Sequence, residues 1–89
     1  MVYNTINKYK ILDTKHHHGE GRQLKYLFEN NYGASVIKTP WSYGGPDGLW
    51  ELAVLHNDKL CYDTPITSDV IGRLQFSEVI EILKEIRDL

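Results

Sequence analysis

Eighty-nine residues, 42% hydrophobic, 25% charged and 11% aromatic, suit one small globular domain and exclude a disordered, collagenous or low-complexity chain. The net charge of −2 argues against attachment to nucleic acid or anionic lipid by bulk charge, and no run approaches the ~18 apolar residues of a membrane span. A lone cysteine, Cys61, excludes an intrachain disulfide framework, and the polar start from Met1 to Tyr9 lacks the apolar core of a secretory signal, so a cytoplasmic setting is expected.

The expected domain covers residues 1–89, with 1–19 a partly flexible N-terminal segment. Tyr9 and Ile11 alternate with Lys10 and Leu12, which allows an optional short strand. The histidines of His16-His17-His18-Gly19-Glu20 suit Zn, Ni or Cu by type. Adjacent imidazoles do not converge on one ion in helix or strand, so a polar, exposed linker without bound metal is expected. Leu24, Leu27 and Phe28 fall at i, i+3 and i+4, the spacing of an amphipathic helix over about residues 20–30, ended by Asn30, Asn31 and Gly33.

Ala34 to Thr39 reads as a strand stopped by Pro40. Trp41-Ser42-Tyr43-Gly44-Gly45-Pro46-Asp47-Gly48, with three glycines and a proline in eight residues, is the strongest loop signal in the chain. Leu49 to His56 is apolar on both faces, as a central strand should be. Asn57-Asp58-Lys59 then turns the chain into a third strand over Leu60 to Asp63. A three-residue turn pairs His56 with Leu60 and gathers Trp50, Leu52, Val54, Leu60 and Tyr62 on one face. A two-residue turn flips the returning strand, and burial favours the first register. Thr64 to Leu74 reads as a connector. Phe76, Val79, Ile80, Leu83 and Ile86 mark a helix over about residues 76–88.

The expected fold is therefore α+β: a two-layer sandwich in which a three-stranded antiparallel meander is covered by an N-terminal and a C-terminal helix (α-β-β-β-α), with an optional N-terminal strand. Trp50, Leu52, Val54, Tyr62, Phe76, Val79, Ile80 and Leu83 are its expected core.

Catalytic constellations are weak. In the favoured register Cys61 and His56 point to opposite faces, which separates a nucleophile from its base. The glycine loop enters a strand and lacks the Lys-Ser/Thr of a phosphate cradle. Asp63 and Asp69 lack a third partner, and with Thr64, Thr67 and Ser68 they read as turn chemistry. The loop aromatics are different. Ordering three glycines is costly, and a linker needs neither Trp41 nor Tyr43. Either they close down as a lid or they anchor a partner, whether protein or base stack, and a mixture is expected, with Trp41 packed and Tyr43 more exposed. The candidate binding residues are Trp41, Tyr43, Gly44, Gly45, Asp47 and Asp63, with no catalytic residue, metal or cofactor.

Tyr32-Gly33-Ala34-Ser35-Val36, Ser42-Tyr43-Gly44-Gly45, Gly48-Leu49-Trp50-Glu51-Leu52-Ala53-Val54-Leu55, Tyr62-Asp63-Thr64-Pro65-Ile66-Thr67 and Asp69-Val70-Ile71-Gly72 occur in the same order in a family of small uncharacterised bacteriophage and prophage proteins, which this chain resembles over about residues 31–88. That family more often has Ser or Thr where Gln75 stands, as a helix cap. The resemblance implies a phage accessory protein in the bacterial host cytoplasm. By analogy with other small phage proteins, such a product binds a host protein or complex, including defence systems such as CRISPR effectors. Two alternatives remain. A nucleic-acid-binding module would use Lys8, Lys10, Lys15, Arg22 and Lys25, because residues 1–32 carry five basic and three acidic residues against five and nine in 33–89. A small metal-dependent enzyme would use the histidines and Asp63.

Overall fold

The structure is a computed structural model that describes residues 6–15 and 21–89. Strands β1 (Lys10–Lys15), β2 (Arg22–Leu27), β3 (Tyr32–Lys38), β4 (Trp50–His56), β5 (Lys59–Leu60) and β6 (Ile71–Leu74) precede helix α1 (Phe76–Arg87). All strand pairings are antiparallel, in the order β1-β2-β3-β4-β5, and β6 shares the far edge of β4 with β5. Helix α1 lies against β3, β4 and β6. Its Val79, Ile80, Leu83 and Ile86 bury against Leu24, Tyr26, Val36, Leu52 and Val54. Among the described residues no helix is long and apolar enough to cross a membrane.

The α-β-β-β-α sandwich is thus corrected to a six-stranded antiparallel sheet covered on one face by a C-terminal helix. The expected helix over 20–30 is β2. Leu24, Tyr26 and Phe28, two apart, are all buried, while Leu27, the residue that completed the helical spacing, is 43% exposed. Period two wins because the segment pairs on both sides, Arg22 to Leu27 against Lys38 to Gly33 and Lys15 to Lys10 against Arg22 to Tyr26. A tight turn makes this possible: Asn31 adopts φ 67°, and the Phe28 N–H donates to the Tyr32 carbonyl at 2.8 Å.

The second correction is a register. The turn after β4 has two residues, not three: His56 pairs with Lys59 and Leu55 with Leu60. Asn57 and Asp58 both take positive φ, 53° and 66°, the backbone of a type I′ turn, whose twist matches the flanking strands. Turn geometry outweighs burial here. Leu60 and Tyr62 consequently leave the core face and are 59% and 46% exposed, whereas Cys61 packs toward the core. Trp50, Leu52, Val54, Val79, Ile80 and Leu83 are buried as expected, and Phe76 is half-buried against Trp50 at 5.5 Å between ring centres.

The third is β6, expected as connector. Leu74 pairs with Trp50 and Ile71 with Leu52, so two residues, Gly72 and Arg73, face one on β4 and form a bulge. Helix α1 starts as expected. Its Gln75 N–H is satisfied by Glu78, whose Oε1 accepts it at 2.9 Å, so the missing Ser or Thr costs the cap little. Inside the segment expected to be partly flexible, Ile6 is fully buried and residues 10–15 form β1, while His16, His17 and His18 lie outside the described residues.

Candidate functional site

The long link between β3 and β4 is a built structure. At its base Thr39 and Ser42, both buried, satisfy each other. The Thr39 N–H donates to Ser42 Oγ at 2.8 Å, the Ser42 N–H to Thr39 Oγ1 at 2.9 Å, and Ser42 Oγ–H to the Thr39 carbonyl at 3.1 Å. The Trp41 N–H adds a second bond to Thr39 Oγ1 at 3.1 Å. Gly44 turns the chain at φ 92° into a 3₁₀ turn over Gly45–Asp47, and the Asp47 and Leu49 N–H groups both donate to its carbonyl at 3.0 Å. Gly45 lies so close to this base that a Cβ there would overlap the Thr39 carbonyl oxygen.

The far side of the loop is held by β6. Arg73, at the bulge, adopts φ 57°, a left-handed backbone that costs about 1 kcal/mol for a residue with a side chain. That backbone turns its N–H onto the Tyr43 carbonyl at 3.0 Å, and its guanidinium pairs with Asp47 at 3.0 Å. The Tyr43 N–H donates to Glu51 Oε1 at 2.8 Å, and the Tyr43 ring covers Gly72, where a Cβ would lie 2.5 Å from a ring carbon.

Trp41 and Tyr43 therefore stand on a loop fixed from both sides, 67% and 66% exposed. The expectation of a packed Trp41 gives way to two presented rings. Each forgoes roughly 1–2 kcal/mol of burial that a lid would have gained. A groove of about 440 Å³ lies at the base of the same loop, lined by Gly21, Lys38, Thr39, Pro40, Gly45, Pro46 and Gly48.

Of the sequence candidates, Trp41, Tyr43, Gly44, Gly45 and Asp47 share this loop. The Asp63 carboxylate instead accepts a hydrogen bond from the Cys61 thiol at 2.9 Å. That bond holds the Cys61 pKa above its ordinary value and keeps it protonated, the wrong direction for a nucleophile. Cys61 and His56 fall on the same face once the register is corrected, yet His56 stacks on Tyr32, ring centres 4.2 Å apart, and Cys61 turns to Asp63. Among the described residues no three His, Cys, Asp or Glu side chains gather as metal ligands. Asp69 joins the turn chemistry expected of it: its N–H donates to Thr67 Oγ1 at 3.1 Å, and its Oδ1 accepts the Val70 N–H at 2.7 Å.

Sequence reasoning missed Thr39, Ser42, Glu51, Gly72 and Arg73 as supports. Thr39 and Ser42, three apart and flanking Pro40-Trp41, carry a readable hydroxyl-turn signal. No local signal marks Arg73, because its role depends on a bulge created by long-range pairing. Comparison with protein-family models, with curated proteins and with solved structures finds no match for this chain.

Proposed function

We propose that this protein is a non-enzymatic binding module that engages a macromolecular partner through Trp41 and Tyr43. The carrying observation is their two-thirds exposure on a loop whose backbone is fixed by Thr39, Ser42, Glu51 and Arg73. Rigid aromatic groups lose little conformational entropy on binding, which is why such residues dominate interface energetics. Placement in a phage accessory context, acting on host machinery such as a CRISPR effector, rests on the resemblance of residues 31–88 alone.

Trp41→Ala and Tyr43→Ala test the reading. Both variants are expected to melt within about 1 kcal/mol of the wild type, since neither ring is buried. Capture of the partner from bacterial lysate should fall by at least fivefold in each, the effect of losing an anchor worth about 1 kcal/mol or more. Loss of folding with capture unchanged would assign the rings to stability and remove the loop as a binding site.

A further inference from the structure

The strand register brings together three cations that are far apart in the sequence. Lys15 pairs with Arg22, and Arg22 pairs with Lys38. They form a row across β1, β2 and β3, spaced by the ~4.8 Å between strands, at the end of the sheet from which the aromatic loop emerges. Like charges directly opposite one another are unfavourable in a sheet. Among the described residues only Arg22 has a carboxylate partner in the row, Asp13. The Lys38 ammonium lies over the Trp50 ring at 4.8 Å, and Lys15 is exposed without an acidic partner among the described residues. Among the described residues, Lys15 and Lys38 therefore add positive charge at this end of the sheet that no carboxylate offsets.

Lys38 also lines the groove of about 440 Å³, and Trp41 follows it by three residues. Apart from Thr39, the remaining groove wall is three glycines and two prolines, which lets an extended chain approach the backbone closely. Two acids that touch the loop are already engaged, Asp47 by Arg73 and Glu51 by the Tyr43 N–H.

We propose that the partner of this loop is single-stranded nucleic acid, with phosphates on Lys15, Arg22 and Lys38 and bases stacked on Trp41 and Tyr43. The proposal deepens the binding reading above and rests on it. An acidic peptide would use the cations and leave the rings idle, and an apolar protein surface would use the rings and leave the cations idle. A single strand offers both chemistries in alternation along one chain. A duplex hides the faces of its bases and cannot stack on the rings. The overall charge of −2 is no obstacle, because screening confines each charge to a surroundings of about 8 Å at physiological salt.

The test is fluorescence anisotropy of the full chain with labelled oligodeoxythymidine, oligouridine and a duplex of equal length, between about 50 and 200 mM salt. The single strands are expected to bind and the duplex to bind more weakly. Three phosphate contacts give a slope of log affinity against log salt of about −2. Lys15→Gln and Lys38→Gln should each make that slope shallower by about 0.7. Trp41→Ala should weaken binding by roughly five- to a hundredfold with the slope unchanged. Circular dichroism melts of each variant separate unfolding from lost contact. No single-strand binding at the lowest salt, or binding indifferent to Trp41, overturns the proposal. A protein partner captured from nuclease-treated lysate in a Trp41-dependent way, with no oligonucleotide binding, overturns the nucleic-acid assignment while the loop stands as a binding site. If neither oligonucleotide nor lysate partner depends on Trp41, both readings fall.

Discussion

Tyr26 is buried, and among the described residues its hydroxyl has no hydrogen-bond partner. Burial pushes its pKa up, with Asp13 adding to the shift. A buried hydroxyl without a partner costs the fold its desolvation and gives nothing back. Tyr26→Phe should therefore unfold in urea at or above the wild-type midpoint, by up to about 1 kcal/mol, and a clear loss would mean the hydroxyl is bonded. Asp13 shows the opposite logic. Hydrogen bonds from Lys10 and Arg22 hold its carboxyl below the ordinary range. A group whose pKa falls on folding contributes stability above its unfolded value of about 3.9 and loses it as pH drops through the folded value. Because Asp13 lies on the edge strand, the loss should be local. Protection of the β1 amides relative to their intrinsic exchange should fall as the pH drops below about 4, and Asp13→Asn should remove that acid sensitivity. Unchanged acid sensitivity in the variant would assign the effect elsewhere.

The aromatic loop depends on space as much as on bonds, and two of its glycines separate these causes. Gly48 has φ 78° and nothing within 4 Å of a built Cβ, so Gly48→Ala should cost only the left-handed backbone, about 1 kcal/mol. Gly45 has no room at all, since a Cβ there would strike the Thr39 carbonyl and crowd Ser42 Oγ. Gly45→Ala should cost clearly more, about 2–3 kcal/mol, and release the Tyr43 ring from Gly72. Urea melts of the two variants side by side check the order, and equal costs would refute the account. The sequence made part of this legible. The β3 and β4 strands and the long loop between them, with its paired aromatics, were readable because Pro40, the glycines and the continuous apolar run of β4 are local signals. So was α1, by its stripe from Phe76 to Ile86. The sequence misled at Leu24, Leu27 and Phe28, where helical spacing and strand alternation share two residues and only pairing decides. It misled again at Asn57-Asp58, where a turn preference overrode burial and sent Tyr62 to the open face. It was silent on Arg73 and on the row of Lys15, Arg22 and Lys38, because both are products of register, and register is set between segments.

Helix α1 closes one face of the sheet, so its contact carries much of the stability of a small core. Leu83 is fully buried at its centre, and Leu83→Ala should cost about 2–4 kcal/mol, a large share of the roughly 5–10 kcal/mol expected for a domain of this size. A chemical melt that moved by less than 1 kcal/mol would displace Leu83 from that role. The far end of α1 is latched by Asn30, whose side-chain amide donates to the carbonyls of Ile86 and Arg87 at 3.0 and 3.1 Å. Strands β1 to β5 lie side by side in chain order, a local topology that favours hairpin-by-hairpin folding. β6 breaks that order. It returns to β4 after a ten-residue excursion over 61–70, and it is β6 that holds Tyr43 through the Arg73 N–H and Gly72. During synthesis on the ribosome, the chain exposes Trp41 and Tyr43 well before residues 71–74 emerge to brace them. The nascent protein thus carries its aromatic loop unbraced, and the loop gains its fixed form only as translation delivers the last strand.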